Sequence, residues 1–483
     1  MPRSLTWALA AAVGFALATR PGPWGPLAWP AAFALQRALR VADGRAAAAR
    51  DAAIAAIGPA SVAVTPLAPL QPAGALVALL AIAGSFAIVG LVAAPARSCA
   101  GAEDADPGPV PIALVASFAW IAIERAWGAR WLLGDAAVPV VAIGSALVDG
   151  PVRRLASIGG TPALGLTLLL LGGAADGLLR RHVPAWARAA ALAGLVLVGL
   201  ASIPSDGPVA ERGTIDADGP LLRLRLVQHR PSPAAIAAAR VDAASEARLL
   251  RPLRSALSDA DGRLVVWPET AWPWRLDPDA PAVGPTLGDA AVLFGAITTR
   301  AGRRYNSVLL SDAGALSLVT DKVRLVPLTE SSLAPGEAGR THAWRGLTLS
   351  AAVCWDAAFP DVARAAARAG AQVLIYLADD GYAFDGPVGR LHLRQARLRA
   401  LETRRPVVLV QATGPSAAVA PDGRIVASLP SGVRGHLDVD LSLAEPDERP
   451  SLGGEPVGTA LVALLPVWLA VRARAARSKG GGT

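Results

Sequence analysis

Three residues far apart in this sequence have the types needed for thiol-based chemistry on a carbonyl. Cys354 follows the apolar run "LTLSAAV", Glu269 follows "LVVWP", and Lys322 follows "LSLVT". Short apolar runs of this kind read as strands, and a polar residue at a strand end stands where a loop can present it. A thiol becomes a nucleophile when a base takes its proton, and the oxyanion formed on attack needs a donor. A carboxylate, an ammonium and a thiol supply those three parts. Each alone has a plainer reading: a cysteine after an apolar strand is commonly a core residue, and a glutamate beside proline often marks a helix start.

Lys322 stands out by composition. The chain has 46 Lys and Arg, and only Lys322 and Lys479 are lysine. A sequence that uses arginine almost everywhere keeps a lysine where a compact ammonium, able to approach one oxygen as a point donor, does what a planar guanidinium cannot. Chance is the competing explanation.

The elements that must position these residues lie between about 206 and 452. "LLRLRLVQH", "GRLVVW", "AVLFGAITT", "RYNSVLLS", "GLTLSAAVCW", "AQVLIYLA" and "RPVVLVQATG" read as strands. Helical stretches are expected over Pro233–Leu257, Pro360–Ala369 and Val388–Leu401. Such alternation predicts an α/β layered fold.

The rest of the chain is of another kind. Composition is 53% hydrophobic and 17% charged, below the ~25% charged share of soluble proteins. Apolar runs at Leu5–Ala18, Trp24–Leu39, Ala52–Leu70, Ala73–Ala96, Val110–Trp127, Ala156–Gly173, Ala187–Ile203 and Pro456–Val471 are candidate membrane spans, although the first two are short against the ~20 residues a span needs. Leu5–Ala18, with Arg3 before it, also fits a signal peptide. With the N-terminus inside, Arg40, Arg45, Arg50, Arg97, Arg180, Arg181 and the tail arginines fall on the cytoplasmic side, as the positive-inside bias expects; Arg153 and Arg154 are the exception. Three divisions follow: 1–205 a bundle of about seven spans, 206–452 a globular domain outside the cytoplasm, and 453–483 a last span with a basic tail. The net charge of +8 is then explained by span orientation and does not point to nucleic acid. Glu124 and Arg125 read as an interfacial pair between Trp120 and Trp127; a transport pathway is the alternative. Cys99 and Cys354 fall on opposite sides of the membrane, which excludes a disulfide between them. The five histidines have no ligand spacing, so no metal site is expected.

"VVWPET", "DKVRLVPLTE" and "AAVCWDAAFPD", in this order, resemble motifs of the nitrilase superfamily and, within it, of the apolipoprotein N-acyltransferases. "RYNSVLL", "FAWIAIERAW" and "ARLRALETRRPVV" add to the resemblance, which extends over nearly the whole chain. It implies a membrane α-helical bundle of about eight spans joined to an α/β nitrilase-like αββα sandwich. It implies Glu269 as general base, Lys322 as oxyanion-stabilising cation, Cys354 as nucleophile and Glu330 as second acid, with Trp355, Asp356 and Tyr382 in the substrate-binding rim. The implied activity is transfer of a fatty acyl chain from a phospholipid, through a Cys thioester, to the α-amino group of a lipoprotein's lipidated N-terminal cysteine. It would be catalysed without a cofactor by a monomer of the bacterial inner membrane whose catalytic domain faces the periplasm. Departures concern the rim: Trp355-Asp356 where the family has Tyr-Glu, Leu328-Thr329 for Phe-Gly, Asp379-Asp380-Gly381-Tyr382-Ala383 for Asn-Asp-x-Trp-Phe, "LVQATG" for a stretch with Arg and Asn, and Gln228-His229-Arg230 for Gln-x-Asn. A membrane-anchored amidase or hydrolase and an inactive lipid- or lipoprotein-binding paralogue are the alternative readings.

Overall fold

The computed structural model describes residues 2–20, 22–65, 68, 71–93, 109–178, a few positions between 185 and 196, 212–215, 219–277, 287–327, 329–381 and 388–443. Two compact units are present, one within Met1–Ser205 and one over Asp206–Ser451.

The first unit is helical: α1 (Arg3–Thr19), α2 (Ala28–Val41), α3 (Arg45–Ala63), α4 (Pro72–Ser85), α5 (Ala87–Ala93), α6 (Pro109–Gly128) and α7 (Ala156–Leu178). The expected span at Ala52–Leu70 is shifted: α3 begins at Arg45, after Gly44 at φ +105°, and so takes in Arg45, Arg50 and Asp51. The run at Ala73–Ala96 turns at Phe86, and α7 is broken at Gly160, whose φ of 64° no helix accommodates. Among the described residues two helical stretches, Pro72–Ala93 and Val152–Leu178, are long and apolar enough to cross a membrane. The expected spans at Ala187–Ile203 and Pro456–Val471, and Cys99, lie outside the described residues or nearly so. Leu76, Val77, Leu80, Ile88 and Leu91 point outward on α4 and α5, whereas polar groups are turned in. Buried Asp176 accepts from Arg37 at 3.1 Å and Arg40 at 2.9 Å, and Gln36 donates to Ser117 at 3.2 Å. Glu124 is buried and accepts from the Trp120 indole at 2.8 Å and from the Ile143 amide at 2.9 Å, which places it in the interior of the unit and not at an interface.

The second unit carries thirteen strands in chain order. They are β1 (Arg212–Ile215), β2 (Leu221–Gln228), β3 (Leu264–Val266), β4 (Val292–Arg300), β5 (Arg303–Asp312), β6 (Ala315–Asp321), β7 (His342–Trp344), β8 (Leu347–Val353), β9 (Val373–Ala378), β10 (Val407–Gln411), β11 (Ser416–Val419), β12 (Ile425–Leu429) and β13 (Gly435–Ser442). One sheet runs β1-β13-β2-β3-β4-β5-β6 and the other β12-β11-β10-β9-β8-β7. The sheets face each other, with β5 and β6 packed on β8 and β2 on β10. In each sheet the central strands are parallel (β2-β3-β4 and β8-β9-β10). They are buried on both faces, which is why "VLIYLA" and "VVLVQ" are continuously apolar and do not alternate.

Helices form the outer layers. The stretch Pro233–Leu257, expected as one helix, is two, α8 (Pro233–Ala239) and α9 (Ala243–Ser255), because Asp242 takes the Ser245 amide at 2.7 Å and starts a new helix. From α9, Leu250 and Leu253 reach Val265, Trp267, Phe294 and Leu309 of the first sheet, each buried leucine adding ~1.5–3 kcal/mol. The other sheet is covered by α10 (Pro360–Arg368) and α11 (Val388–Thr403).

Candidate active site

The turns that present Glu269 and Cys354 both contain a non-glycine residue in the left-handed region: Thr270, just after Glu269, at φ 47°, and Cys354 itself at φ 48°. Such conformations cost ~1–3 kcal/mol and persist where surrounding structure over-determines them. Cys354 follows the last residue of β8 and opens a 3-10 turn, Cys354–Ala358, that leads into α10 with Pro360 at its first turn. Glu269 follows β3 over Trp267-Pro268, and its backbone lies against β4 at Gly295. A Cβ at 295 would sit 2.6 Å from the Glu269 Cα and 2.6 Å from the Thr270 nitrogen, so this contact requires glycine.

Lys322 leaves the end of β6 and is 1% exposed at the side chain. Its Nζ donates to Glu330 Oε1 at 2.8 Å and to Glu269 Oε1 at 3.2 Å. Its backbone is pinned as well: the Lys322 amide donates to Asn306 O at 2.7 Å, and its carbonyl accepts from Gly336 at 2.8 Å. Burial disfavours the ammonium, but Glu269, Cys354 and Glu330 outweigh burial and hold its pKa well above the usual lysine range. Lys322 is therefore a permanent cation between two carboxylates.

Glu269 is oriented from three sides, since Oε1 also accepts from Asn306 Nδ2 at 2.7 Å and Oε2 accepts from the Asp379 amide at 2.9 Å. Glu330 Oε2 accepts from the Val326 amide at 2.7 Å. Burial first, and then Glu269, push the Cys354 thiol well above its usual pKa, with Asp380 and Glu330 adding to the rise and Lys322 opposing it. At neutral pH the thiol therefore holds its proton, and a neighbouring base has to take it during attack.

Asp356 is fully buried, and its carboxylate accepts from the amides of Arg324 at 2.7 Å, Val353 at 3.0 Å and Val323 at 3.2 Å. It ties the backbone after Lys322 to the strand end before Cys354. Burial pushes its pKa up to about 6 despite these bonds. Trp355 is 8% exposed, packs edge-on to Phe359 at 5.8 Å, and its indole N–H has no partner among the described residues. Tyr382 lies outside the described residues.

Of four further participants, Asn306 and His392 are not singled out by sequence reasoning, and Asp379 and Asp380 are met there only as departures in the rim. Asn306 stands within "RYNSVLL" and touches both carboxylates, Glu269 at 2.7 Å and Glu330 at 3.5 Å. Asp379 contributes its backbone, and burial pushes its carboxyl up to about 7. Asp380 and His392 meet at 3.0 Å beside Cys354. Donor atoms of Cys354, Asp380 and His392 lie within 4.8 Å of one another, a set able to hold a metal. No ligand spacing betrays it, because the three come from the turn after β8, the loop after β9 and α11.

Residues 227–449 match the carbon-nitrogen hydrolase family model. The matched region has two facing sheets, helices outside, and an acid, a lysine and a cysteine at strand ends. Its curated relatives are apolipoprotein N-acyltransferases. That of Agrobacterium fabrum is 35% identical over 224 residues, 39% of this chain and 42% of the relative. The enzyme of Sinorhizobium medicae is 36% identical over 226 residues, 40% and 42% of the two chains. That of Brucella suis is 32% identical over 282 residues, 50% and 51%. The match thus spans about half of the length of these relatives or somewhat less. Among solved structures, Saccharomyces cerevisiae Nit3, of branch 10 of the nitrilase superfamily, aligns at 24% identity over 46% of this chain and 90% of its own, with a TM-score of 0.35.

Proposed function

We propose that this protein is an apolipoprotein N-acyltransferase: it takes a fatty acyl chain from a phospholipid as a Cys354 thioester and passes it to the α-amino group of a lipoprotein's N-terminal diacylglyceryl-cysteine. The observation that carries this reading is the buried Lys322 held between Glu269 and Glu330 within electrostatic reach of Cys354, in a domain whose curated relatives bear that name.

The chemistry follows from the geometry. Glu269 takes the thiol proton as Sγ attacks the ester carbonyl, and the oxyanion is stabilised by the Lys322 ammonium. Collapse breaks the ester C–O bond, and Glu269 returns the proton to the departing lysophospholipid oxygen. In the second half Glu269 accepts a proton from the attacking amine, the tetrahedral intermediate collapses, and the thiolate leaves and is reprotonated. Glu330 and Asn306 fix Lys322 and Glu269 in place. Asp356, whose oxygens are all engaged by backbone, is a positioning residue in this scheme and not a substrate contact. Trp355, packed edge-on to Phe359 at 5.8 Å, is assigned to the substrate-binding rim in this scheme, and Tyr382 is assigned to it by the resemblance alone.

The membrane setting is supported by the first unit. Large apolar side chains face outward on α4 and α5, while Asp176, Gln36 and Glu124 are buried and paired inside, the arrangement expected of a lipid-facing bundle. Arg40 at the end of α2 meets Asp176 near the end of α7, so these two ends share a side, as the positive-inside assignment of Arg40, Arg180 and Arg181 requires. We extend this to about eight spans: seven within 1–205, one within 453–483, and the domain 206–452 on the periplasmic face of a bacterial inner membrane. Both substrates are membrane-bound, so a domain held at that surface gains effective concentration. The working form is a monomer.

The test is intact-protein mass spectrometry after mixing the full chain with phospholipid. An acyl adduct that maps to Cys354, is absent in Cys354→Ser, and is discharged by a diacylglyceryl peptide amine is expected. Discharge by water at the same rate without the amine would make the protein a hydrolase instead.

A further inference from the structure

The nucleophile shares a donor cluster with two residues, Asp380 and His392, that have no part in the scheme above. Cys354 Sγ, a ring nitrogen of His392 and a carboxylate oxygen of Asp380 stand within 4.8 Å of one another, and all three residues are buried. His392 Nδ1 meets Asp380 Oδ2 at 3.0 Å in a direct hydrogen bond, and two zinc ligands at ~2.0–2.1 Å stand only slightly further apart, so a metal held by both residues takes the place of the shared proton. Asp380 Oδ1, like Oδ2, faces His392 Nδ1 at 3.0 Å and has no further hydrogen-bond partner among the described residues. Thiolate, imidazole and carboxylate together suit a borderline-soft ion better than Mg2+ or Ca2+, which take oxygen alone.

Local charge points the same way. Glu269, Glu330, Asp379 and Asp380 are carboxyl groups near the thiol or near one another, and the cations facing them are Lys322 and, when protonated, His392. The Lys322 ammonium, within reach of both Cys354 and His392, works against the cation. This sets the site apart from a permanent structural zinc and makes it a reversible one.

We propose that Cys354, Asp380 and His392 form a binding site for Zn2+ or Cd2+ that captures the free thiolate and withholds it from acylation. Bonds form from the metal to Sγ, to one ring nitrogen and to one Asp380 oxygen, with water in the fourth position; the thiol proton leaves to solvent, so binding tightens as pH rises. The inference rests on the donor geometry and does not need the acyltransfer reading, because its test reads thiol reactivity.

The experiment uses the full chain carrying Cys99→Ser, so that Cys354 is the one thiol. Its alkylation by iodoacetamide is followed by intact mass while Zn2+ or Mg2+ is titrated. Zn2+ is expected to slow alkylation tenfold or more and Mg2+ to leave it unchanged. One equivalent of Cd2+ should give an ultraviolet thiolate-to-metal charge-transfer band. His392→Gln and Asp380→Asn, each compared with its own metal-free rate and checked for folding by its melting curve, should weaken Zn2+ protection by ~10–100-fold or more. Parental protection in both variants would overturn the proposal, since the thiol alone would then hold the metal. An unprotected parent, or equal protection by Mg2+, would overturn it as well. Should both variants fail to fold, zinc-edge X-ray absorption of the loaded parent decides: a shell with sulfur and imidazole supports the site, and one without imidazole refutes it.

Discussion

Replacing Lys322 separates its charge from its shape. Lys322→Met removes the ammonium and leaves Glu269 and Glu330, whose Oε1 atoms it had bonded at 3.2 and 2.8 Å, facing each other with only Asn306 between them. Breaking a buried ion pair by removing one partner costs ~3–5 kcal/mol, and for a domain of this size that lowers the melting temperature by ~10 °C. Lys322→Arg keeps the charge, but the side chain it replaces is 1% exposed, so the larger guanidinium must displace its neighbours at ~1–3 kcal/mol. Fold is therefore expected to survive in the Arg variant with a moderate loss, smaller than that of the Met variant. Thioester formation should fall ~100-fold or more in both, because an oxyanion donor is misplaced in one and absent in the other. The assays are thermal melting of the full chain and single-turnover quench with one phospholipid, read as the acyl adduct on Cys354. Adduct formation by Lys322→Arg at the parental rate would refute the reasoning: charge alone would suffice, and the rarity of lysine in this chain would be chance.

Two further outcomes follow from packing and titration. Asp379 has a pKa of about 7 in the fold against an ordinary 3.8; a raised acid contributes stability that is complete below 3.8 and is lost as pH rises through about 7. That difference is worth ~4 kcal/mol at 1.36 kcal/mol per pH unit, reduced to ~2 because Asp379 keeps some solvent contact. Asp379→Asn should thus gain stability relative to the parent between pH 5 and 8, and parallel melting-versus-pH curves would contradict this. Gly295→Ala puts a Cβ 2.6 Å from the Glu269 Cα, so adduct formation should drop more than the ~1–3 kcal/mol of overpacking lowers stability. Gly435→Ala, with nothing within 4 Å, serves as the neutral control, and equal behaviour of the two would show that Glu269 tolerates displacement.

What is legible in the sequence is what local pattern encodes. The apolar runs ending at Val266 and Val353 are strands, the run before Lys322 closes a third, and the alternation of strand and helix gives the layered fold. Short strands such as β11 and β12 escape a reading by pattern, because runs of four or five residues with small side chains carry little signal. The helix expected from Pro233 runs on through Val241 in such a reading because alanine-rich sequence on both sides hides a cap at Asp242. The support of the site is the least legible part. Asn306 and His392 reach Glu269 and the surroundings of Cys354 only through the packing of distant elements, and nothing in their spacing signals it.

The same packing explains how the altered rim is tolerated. Asp356 stands where the resembled family has a glutamate, yet its shorter carboxylate is already satisfied by three amides, those of Val323, Arg324 and Val353. A longer side chain would not be needed to join the Lys322 loop to the Cys354 turn. Asp379 stands where that family has an asparagine, and its burial holds the carboxyl near neutrality, with a pKa of about 7. The interaction that Glu269 takes from residue 379 is a backbone amide at 2.9 Å, which is indifferent to the side chain. At residue 379 the hold on Glu269 is a backbone amide, and at residue 356 a carboxylate is kept together with the three amides it binds, so neither departure from the resembled family removes a contact seen among the described residues.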